Sequence, residues 1–211
     1  MIKGYYINLS HRLDRHEHIK KLQKQYPFFK DIERFDAIFE EKYGVGVCLS
    51  HIKCLENCLE KNDCNYYLIM EDDLDIMNDS AFENFVNNFN KINNDDNWDV
   101  ITLTPYGKKI EKNYKENFHR IMGTQTATGY IIKHDFIPKL LPELYKGLNG
   151  LLKGYDGPNP NPYVCDQCWK PLQQKSIWIF FNKVFARQLP SYSDIEKKNV
   201  NYTSSFLSQK M

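Results

Sequence analysis

A short apolar segment that ends in a run of carboxylates constrains this chain more than any other feature. Residues 66–70 are apolar or aromatic. The carboxylates that follow are Glu71, Asp72, Asp73 and Asp75. This pattern predicts a buried strand that opens into a loop at its carboxyl end, where α/β sheets bind ligands. Clustered carboxylates repel one another, and a hard divalent cation such as Mg²⁺ or Mn²⁺ relieves that repulsion. A solvated acidic turn is the alternative interpretation.

Strand-like and helix-like segments alternate along the 211 residues of the chain. Apolar, β-branched and aromatic runs predict strands at residues 2–9, 32–38, 66–70, 99–104 and 178–181, and near Gly123 and Gly129. Apolar residues at helical spacing predict helices at residues 13–26, 47–59 and 136–145, and one that Ser80 caps. We expect residues 105–117 to be mobile and residues 147–162 to form a long loop. The alternation predicts an α/β fold with a mainly parallel central sheet.

Composition excludes several classes of protein. Lysine plus arginine number 28 and aspartate plus glutamate 27, so we expect no nucleic-acid partner. No apolar run is long enough to span a bilayer, and the amino terminus lacks a secretory signal. We therefore expect a cytoplasmic protein, with a peripheral position at a membrane as the alternative. The six cysteines are expected to be reduced, and a zinc site at Cys165 and Cys168 is the competing interpretation.

An ordered set of short motifs runs through nearly the whole chain. The motifs span residues 8–15, 34–37, 46–51, 68–73, 126–130, 162–166 and 188–195. They include Asn-Leu-Ser-His-Arg-Leu-Asp-Arg, Gly-Val-Cys-Leu-Ser-His and Leu-Ile-Met-Glu-Asp-Asp. In this order the set resembles glycosyltransferase family 25, which includes bacterial lipooligosaccharide galactosyltransferases and collagen galactosyltransferases. In this chain the cysteine of the Gly-Val-Cys motif lies one position later than family members usually place it.

The resemblance implies a single-domain GT-A-like (Rossmann-like) fold that binds a nucleotide sugar. It implies a UDP-sugar donor, Mn²⁺ or Mg²⁺ as the metal, and inversion at the anomeric carbon. The hexose would be galactose or glucose, and the acceptor a hydroxyl of a glycan, glycolipid or protein, as in lipopolysaccharide biosynthesis. Residues 1–195 would form the catalytic domain and residues 196–211 a polar tail. The oligomeric state does not follow from these motifs.

The motif match also implies roles for individual residues. Asp73 would ligate the metal, and Asp166 would be the catalytic base. The donor would be bound by Asn8, Arg12, Arg15, Asp36, Ala37, Glu71 and Asp72. Substrate contacts would come from Ser50, His51, Gly129, Tyr130 and Gln188. For several of these residues a structural role is the alternative. The arginines could begin a solvated helix, His51 and Tyr130 could belong to the core, and Asp166 could cap a helix.

Two other functions use the same acidic motif. A non-catalytic sugar-binding or nucleotide-binding module could keep the fold and bind without turnover. A metal-dependent phosphohydrolase would need a second set of metal ligands, which is usually rich in histidine. None of the six histidines stands in a metal-ligand spacing beside residues 71–73.

Overall fold

The chain folds into strands and helices in close alternation. The computed structural model describes residues 2–106 and 110–203. The strands are β1 Lys3–Asn8, β2 Ile32–Asp36, β3 Tyr66–Glu71, β4 Leu74–Ile76, β5 Val100–Thr102, β6 Ile110–Lys115, β7 Phe118–Ile121, β8 Gly129–Lys133, β9 Trp178–Phe181, β10 Ala186–Gln188, β11 Ser191–Ser193 and β12 Lys198–Val200. The helices are α1 Leu13–Gln25, α2 Val45–Lys61, α3 Asp79–Ile92, α4 Ile137–Lys153, α5 Cys165–Cys168 and α6 Lys170–Gln173. Short 3₁₀ turns cover Pro27–Phe29 and His134–Phe136.

One large sheet forms the centre of the molecule. Its 8 strands lie in the order β2-β1-β3-β8-β5-β9-β7-β6. Strands β7 and β8 run antiparallel to their neighbours, and the other strands of the sheet share one direction. The predicted α/β class with a mainly parallel sheet is therefore confirmed. The parallel strands β1, β2 and β3 lie side by side, so their carboxyl ends meet at one edge of the sheet.

Apolar side chains cover both faces of the sheet. Alternate residues of β3 point to opposite faces, so Tyr67 and Ile69 join one core cluster and Leu68 and Met70 join the other. The first cluster packs under α2 and α4, and the second packs under α1 and α3. Burial on both faces explains why the strand reads as a continuous apolar run rather than as an alternating one.

Most predicted elements are confirmed, with shifts at their ends. The helix predicted after Ser80 begins at Asp79, and its cap is Asn78, whose side chain accepts the amide hydrogen of Ala81. Helix α4 continues through Pro142 to Lys153, so the expected loop at residues 147–162 is wrong over its first half. The apolar face of α4 packs on α2, and this packing extends the helix beyond what its prolines suggest.

Other departures concern the segments expected to be irregular. The segment at 105–117 contains β6, which pairs with β7, and residues 107–109 lie outside the described residues. Strand β12 lies within residues 196–211 and pairs with β11, and residues 204–211 are also outside the described part. All six cysteines are free thiols, and among them only Cys64 is partly exposed. Within the described ranges, no helix has the length and apolar character needed to cross a bilayer.

The contact between β1 and β3 requires a glycine at position 4. Gly4 has a φ of +148°, and a Cβ atom built on it would lie 1.8 Å from the carbonyl oxygen of Leu68. Neither the conformation nor the space admits a side chain. This close approach sets the register that places residue 71 of β3 beside Ile7 of β1.

We therefore expect Gly4→Ala to lower the free energy of unfolding by roughly 3 kcal/mol or more, because the chain must separate two central strands and hold a strained backbone. The matched control is Gly123→Ala, since nothing lies within 4 Å of a Cβ atom built at that position. Urea denaturation of both variants and the wild type checks the prediction. Equal midpoints for the two alanine variants would contradict it.

Candidate functional site

A cavity of about 330 Å³ opens at the carboxyl ends of β1, β2 and β3. We call it the strand-end pocket. Its wall includes nine of the residues that the sequence singled out: Arg12, Arg15, Ala37, Ser50, His51, Glu71, Asp72, Asp73 and Gln188. These positions are spread over more than 170 residues of the chain and meet because parallel strands present their carboxyl ends at the same edge.

The acidic strand end, residues 71–73, is organised around one buried guanidinium. Nη1 of Arg15 lies 2.8 Å from Oδ1 of Asp72 and 3.1 Å from Oδ2 of Asp73. Asn8 donates from Nδ2 to Oδ2 of Asp72 at 2.7 Å, and Gln188 donates from Nε2 to Oδ2 of Asp73 at 3.0 Å. The backbone holds the turn as well, since the amide of Asp72 donates to the carbonyl oxygen of Ile7.

Asp73 carries more negative charge than its surroundings compensate. Its Oδ1 atom is buried and has no hydrogen-bond partner. Burial, followed by the neighbouring Glu71 carboxylate, raises the pKa of Asp73 to about 7. Burial also raises the pKa of Asp72. An orphaned carboxylate oxygen beside a cavity is what a divalent cation would satisfy.

The described residues do not form a complete metal-binding shell. Within residues 2–106 and 110–203, no group of three or more histidine, cysteine, aspartate or glutamate side chains is arranged to hold a metal ion. A cation at Asp73 would take its other ligands from water and from a substrate phosphate, which is the usual arrangement for Mg²⁺ and similar ions. The chemistry of Asp73 therefore fits a metal that arrives with a phosphorylated substrate.

The two arginines expected to bind the donor contact the hairpin formed by β11 and β12, which we call the C-terminal hairpin. Nη1 of Arg12 donates to Oδ2 of Asp194 at 2.6 Å and to the carbonyl oxygen of Tyr192 at 3.0 Å. Nη2 of Arg15 donates to Oγ of Ser191 at 2.8 Å. Both arginines therefore lie at the pocket, and each has carboxylate and hairpin partners.

The loop at residues 37–44 forms the opposite wall of the pocket. Its path is held by Ser50, whose hydroxyl accepts the amide hydrogen of Ile38 at 2.9 Å and donates to the carbonyl oxygen of Gly46 at 2.7 Å. A Cβ atom on Gly46 would lie 2.4 Å from the carbonyl oxygen of Ile38, so only glycine allows this approach. Phe39 and Tyr43 project from the loop and are exposed. The hydroxyl of Ser50 is thus used to shape the wall.

Asn8, Asp36, Gly129 and Tyr130 are not part of the pocket wall. Asn8 is buried and supports Asp72 from behind, while the Asp36 side chain is 76% exposed and pairs with Arg34 at 2.8 Å. Gly129 packs against the side chains of Leu74 and Leu103. Tyr130 lies behind His51 and is 1% exposed. Both faces of the sheet are covered, so Gly129 and Tyr130 are buried in the core. Neither residue lines the strand-end pocket.

Asp166 lies on the short helix α5. Its Oδ2 atom accepts the amide hydrogen of Thr126 at 3.0 Å, across to the loop that precedes β8. The residue at the cap position is Val164, so the interpretation of Asp166 as a helix cap is wrong. Thr126 has a φ of +82°, a strained value for a β-branched residue, and this geometry turns its amide toward Asp166.

Charge interactions connect Asp166 to the pocket. Burial, and to a smaller extent the Glu71 carboxylate, raises the pKa of Asp166. Burial together with the Asp166 carboxylate raises the pKa of Tyr43, whose side chain lines the pocket. Asp166 is therefore near the pocket without being one of its lining residues.

The sequence analysis missed two parts of the pocket. It assigned no role to Asp194, although the residue belongs to one of the quoted motifs, because its pairing with Arg12 spans 182 positions. It also assigned no role to Phe39 and Tyr43. The available signal was a pair of aromatic residues in an otherwise polar stretch that follows a strand.

Solved structures show which fold this is. The fold is similar to the crystal structure of A197 from STIV, with a TM-score of 0.51 and 16% identity over 95% of this chain and 93% of that chain. It is also similar to a glycosyltransferase involved in the glycosylation of the major capsid of PBCV-1, with a TM-score of 0.50 and 9% identity over 86% of this chain and 92% of that chain. The chain has a GT-A-like fold. At these identities the likeness extends to the fold alone. Neither the known protein-family models nor the curated protein sequences contain a match to this chain.

The raised pKa of Asp73 makes a prediction about stability. An aspartate that titrates near 3.8 when unfolded and near 7 when folded keeps its proton longer in the folded state, so it destabilises the fold as the pH rises through that interval. In the presence of a chelator, Asp73→Asn should be more stable than the wild type at about pH 8. Its advantage in the free energy of unfolding should grow by roughly 1–3 kcal/mol between about pH 5 and pH 8. Urea denaturation of both proteins at the two pH values measures this, and an advantage that does not change with pH would refute it.

Proposed function

We propose that this protein is a metal-dependent, inverting hexosyltransferase of glycosyltransferase family 25. It would transfer galactose or glucose from a UDP-sugar to a hydroxyl of a glycan, glycolipid or protein. The observation that carries the proposal is the buried, unpartnered carboxylate oxygen of Asp73 at the strand-end pocket of a GT-A-like fold. The motifs at residues 8–15, 46–51 and 68–73 contribute many of the residues at this pocket, which supports the family resemblance.

Asp73 would hold the divalent cation, with Glu71 and Asp72 contributing charge and water ligands. When bound, Mn²⁺ or Mg²⁺ would neutralise the charge that develops on the departing diphosphate. The protein prepares this position by leaving one buried oxygen of Asp73 without a hydrogen-bond donor. Arg15 prevents the repulsion between Asp72 and Asp73 from opening the turn.

Arg12 and Arg15 would bind the diphosphate. Guanidinium groups form charge-assisted, often bidentate hydrogen bonds with phosphate oxygens. Both side chains lie on the pocket wall, and each has hydrogen bonds to the C-terminal hairpin. Binding of the donor would exchange some of these contacts for phosphate contacts and would couple the position of the hairpin to occupancy of the pocket.

Asp166 would accept the proton of the acceptor hydroxyl as that hydroxyl attacks the anomeric carbon. A base works best when its pKa lies nearer to the working pH than that of a free carboxyl group. Burial shifts the Asp166 carboxyl in this direction. The amide of Thr126 holds one carboxylate oxygen in place, so the orientation of the group is defined before substrate binds.

The alternatives make different predictions for one assay. With Mn²⁺ present, donor-dependent release of UDP from UDP-galactose or UDP-glucose supports the hexosyltransferase. Release of phosphate from simple esters supports the phosphohydrolase, and binding without release supports the non-catalytic module. Among the described residues His51 is the only histidine on the pocket wall, so the second, histidine-rich ligand shell of a phosphohydrolase has no counterpart there.

We expect Asp73→Asn to reduce donor-dependent UDP release by at least ~100-fold, because the variant keeps the shape of the side chain and removes the charge that holds the cation. Its melting temperature should also lose its response to added Mn²⁺. The matched control is Asp75→Asn, since Asp75 pairs with Arg187 at 2.8 Å and does not line the pocket. Near-normal activity of Asp73→Asn with an unchanged metal requirement would exclude Asp73 as the ligand.

For Asp166→Asn we expect kcat to fall by ~10² to 10⁴, while the affinity for UDP-sugar and Mn²⁺ changes little. The asparagine oxygen can still accept from Thr126, so folding should be preserved. The exposed Asp135, changed to asparagine, serves as a control. Kinetics, donor titration and thermal melting on the same preparations separate the two roles, and a retained kcat would eliminate Asp166 as the base.

A further inference from the structure

A chain of buried polar side chains reaches the strand-end pocket from the core of the protein. Nδ1 of His51 lies 3.1 Å from the hydroxyl of Tyr130, and Nε2 of His51 lies 3.4 Å from Oε1 of Glu71. His51 and Tyr130 are fully buried, with rings stacked at a centroid distance of 5.8 Å. Helix α2 supplies the histidine, β8 the tyrosine and β3 the glutamate, so three packed elements determine this geometry.

The direction of the two hydrogen bonds of His51 follows from the carboxylate of Glu71, which can only accept. If Nε2 of His51 carried no hydrogen, its lone pair would face the carboxylate of Glu71, and two acceptors would oppose each other. The favourable arrangement has Nε2–H donating to Glu71. In the neutral imidazole Nδ1 then accepts from the hydroxyl of Tyr130. Glu71 thereby selects the Nε2–H tautomer of His51, and Tyr130 donates to Nδ1 and holds the ring in place.

Glu71 is the most exposed carboxylate of the acidic strand end. Its side chain is 24% exposed, whereas those of Asp72 and Asp73 are 8% and 4% exposed. The two aspartates are engaged by Arg15 from within the protein. His51 contacts one oxygen of Glu71, and the carboxylate has a second oxygen for a ligand. A sugar hydroxyl that enters the pocket would therefore meet Glu71 before the aspartates.

We propose that His51, oriented by Tyr130, is a positioning residue that fixes Glu71 to accept hydrogen bonds from the hydroxyl groups of the transferred sugar, and that the pocket consequently takes neutral hexoses and rejects hexuronates. This inference rests on the proposed function, because it assumes a nucleotide-linked sugar in the pocket. Arg12, Arg15 and Glu71 line the same cavity, so a diphosphate at the arginines and its attached sugar at Glu71 would share one pocket. A carboxylate on that sugar would be repelled by Glu71.

The test compares binding of UDP with binding of UDP-glucose, both in the presence of Mn²⁺. UDP has no sugar for Glu71 to contact, whereas UDP-glucose does. We expect His51→Leu to weaken UDP-glucose binding by ~10-fold and to leave UDP binding within ~2-fold of the wild type, since one oriented hydrogen bond is lost. Tyr130→Phe should have the same selective effect with a smaller magnitude. His51→Gln retains an N–H donor near the position of Nε2 and should recover part of the lost affinity.

The matched control is Tyr67→Phe. Tyr67 is a buried tyrosine of β3 whose hydroxyl contacts Asp63 at the opposite end of the strand. It should change neither affinity. Thermal melting identifies variants that fail to fold. The wild type itself gives an independent reading, because UDP-glucose should bind at least ~10-fold more tightly than UDP-glucuronate.

Each outcome bears on the inference. Selective loss of UDP-glucose affinity, with rescue by His51→Gln, supports it. Equal losses for UDP and UDP-glucose in folded variants would show that His51 acts only through the structure of the pocket, and unchanged affinities would show that it has no role. Equal binding of UDP-glucose and UDP-glucuronate by the wild type would also overturn it. If the wild type binds neither UDP nor UDP-glucose, the proposed function itself fails.

Discussion

The pairing of one buried guanidinium with two buried carboxylates is the interaction on which the rest of the site depends. Arg15 lies between Asp72 and Asp73 and also binds the C-terminal hairpin, so it joins the first helix, the central strand and the last strands of the described chain. One positive charge against two negative charges leaves the group unbalanced. Burial, followed by the neighbouring Glu71 carboxylate, raises the pKa of Asp73, and its Oδ1 atom has no hydrogen-bond partner. Removing Arg15 would leave two buried carboxylates without their cation, which is expensive, so the stability of the fold depends on this arrangement of the pocket.

The cost of the buried Asp73 carboxylate sets the stability of the protein against the proposed binding of a cation. A carboxylate that destabilises the empty protein is one that gains most when a cation binds, because binding removes an existing cost. The arginines present the complementary situation. Arg12 is paired with Asp14 and Asp194, and in the proposed complex a diphosphate would have to compete with those carboxylates for it. Internal partners thus lie where the charges of the proposed ligand would lie.

Much of the fold is readable in the sequence, for local reasons. The run at residues 66–70 predicted a strand because five apolar residues in succession suit a position buried on both faces, and β3 occupies it. Helix α2 follows from its apolar spacing. Strand β6 was missed because most of its residues are polar and do not indicate a strand. It forms because its backbone pairs with β7. The length of α4 was missed for a related reason, since packing against α2 outweighs the propensity of its prolines and glycines.

The sequence by itself determined the alternation of the main strands and helices and the presence of carboxylates at the end of a central strand, because periodicity and strand ends are local properties. Only the tertiary structure decided what each carboxylate does. Asp72 and Asp73 pair with an arginine 57 and 58 positions earlier, while Glu71, their immediate neighbour, is more exposed and lies beside His51. Adjacent acidic residues have different partners here because the partners of a side chain depend on which distant elements pack around it. The backbone register that brings those elements together depends in turn on contacts such as that of Gly4 with Leu68.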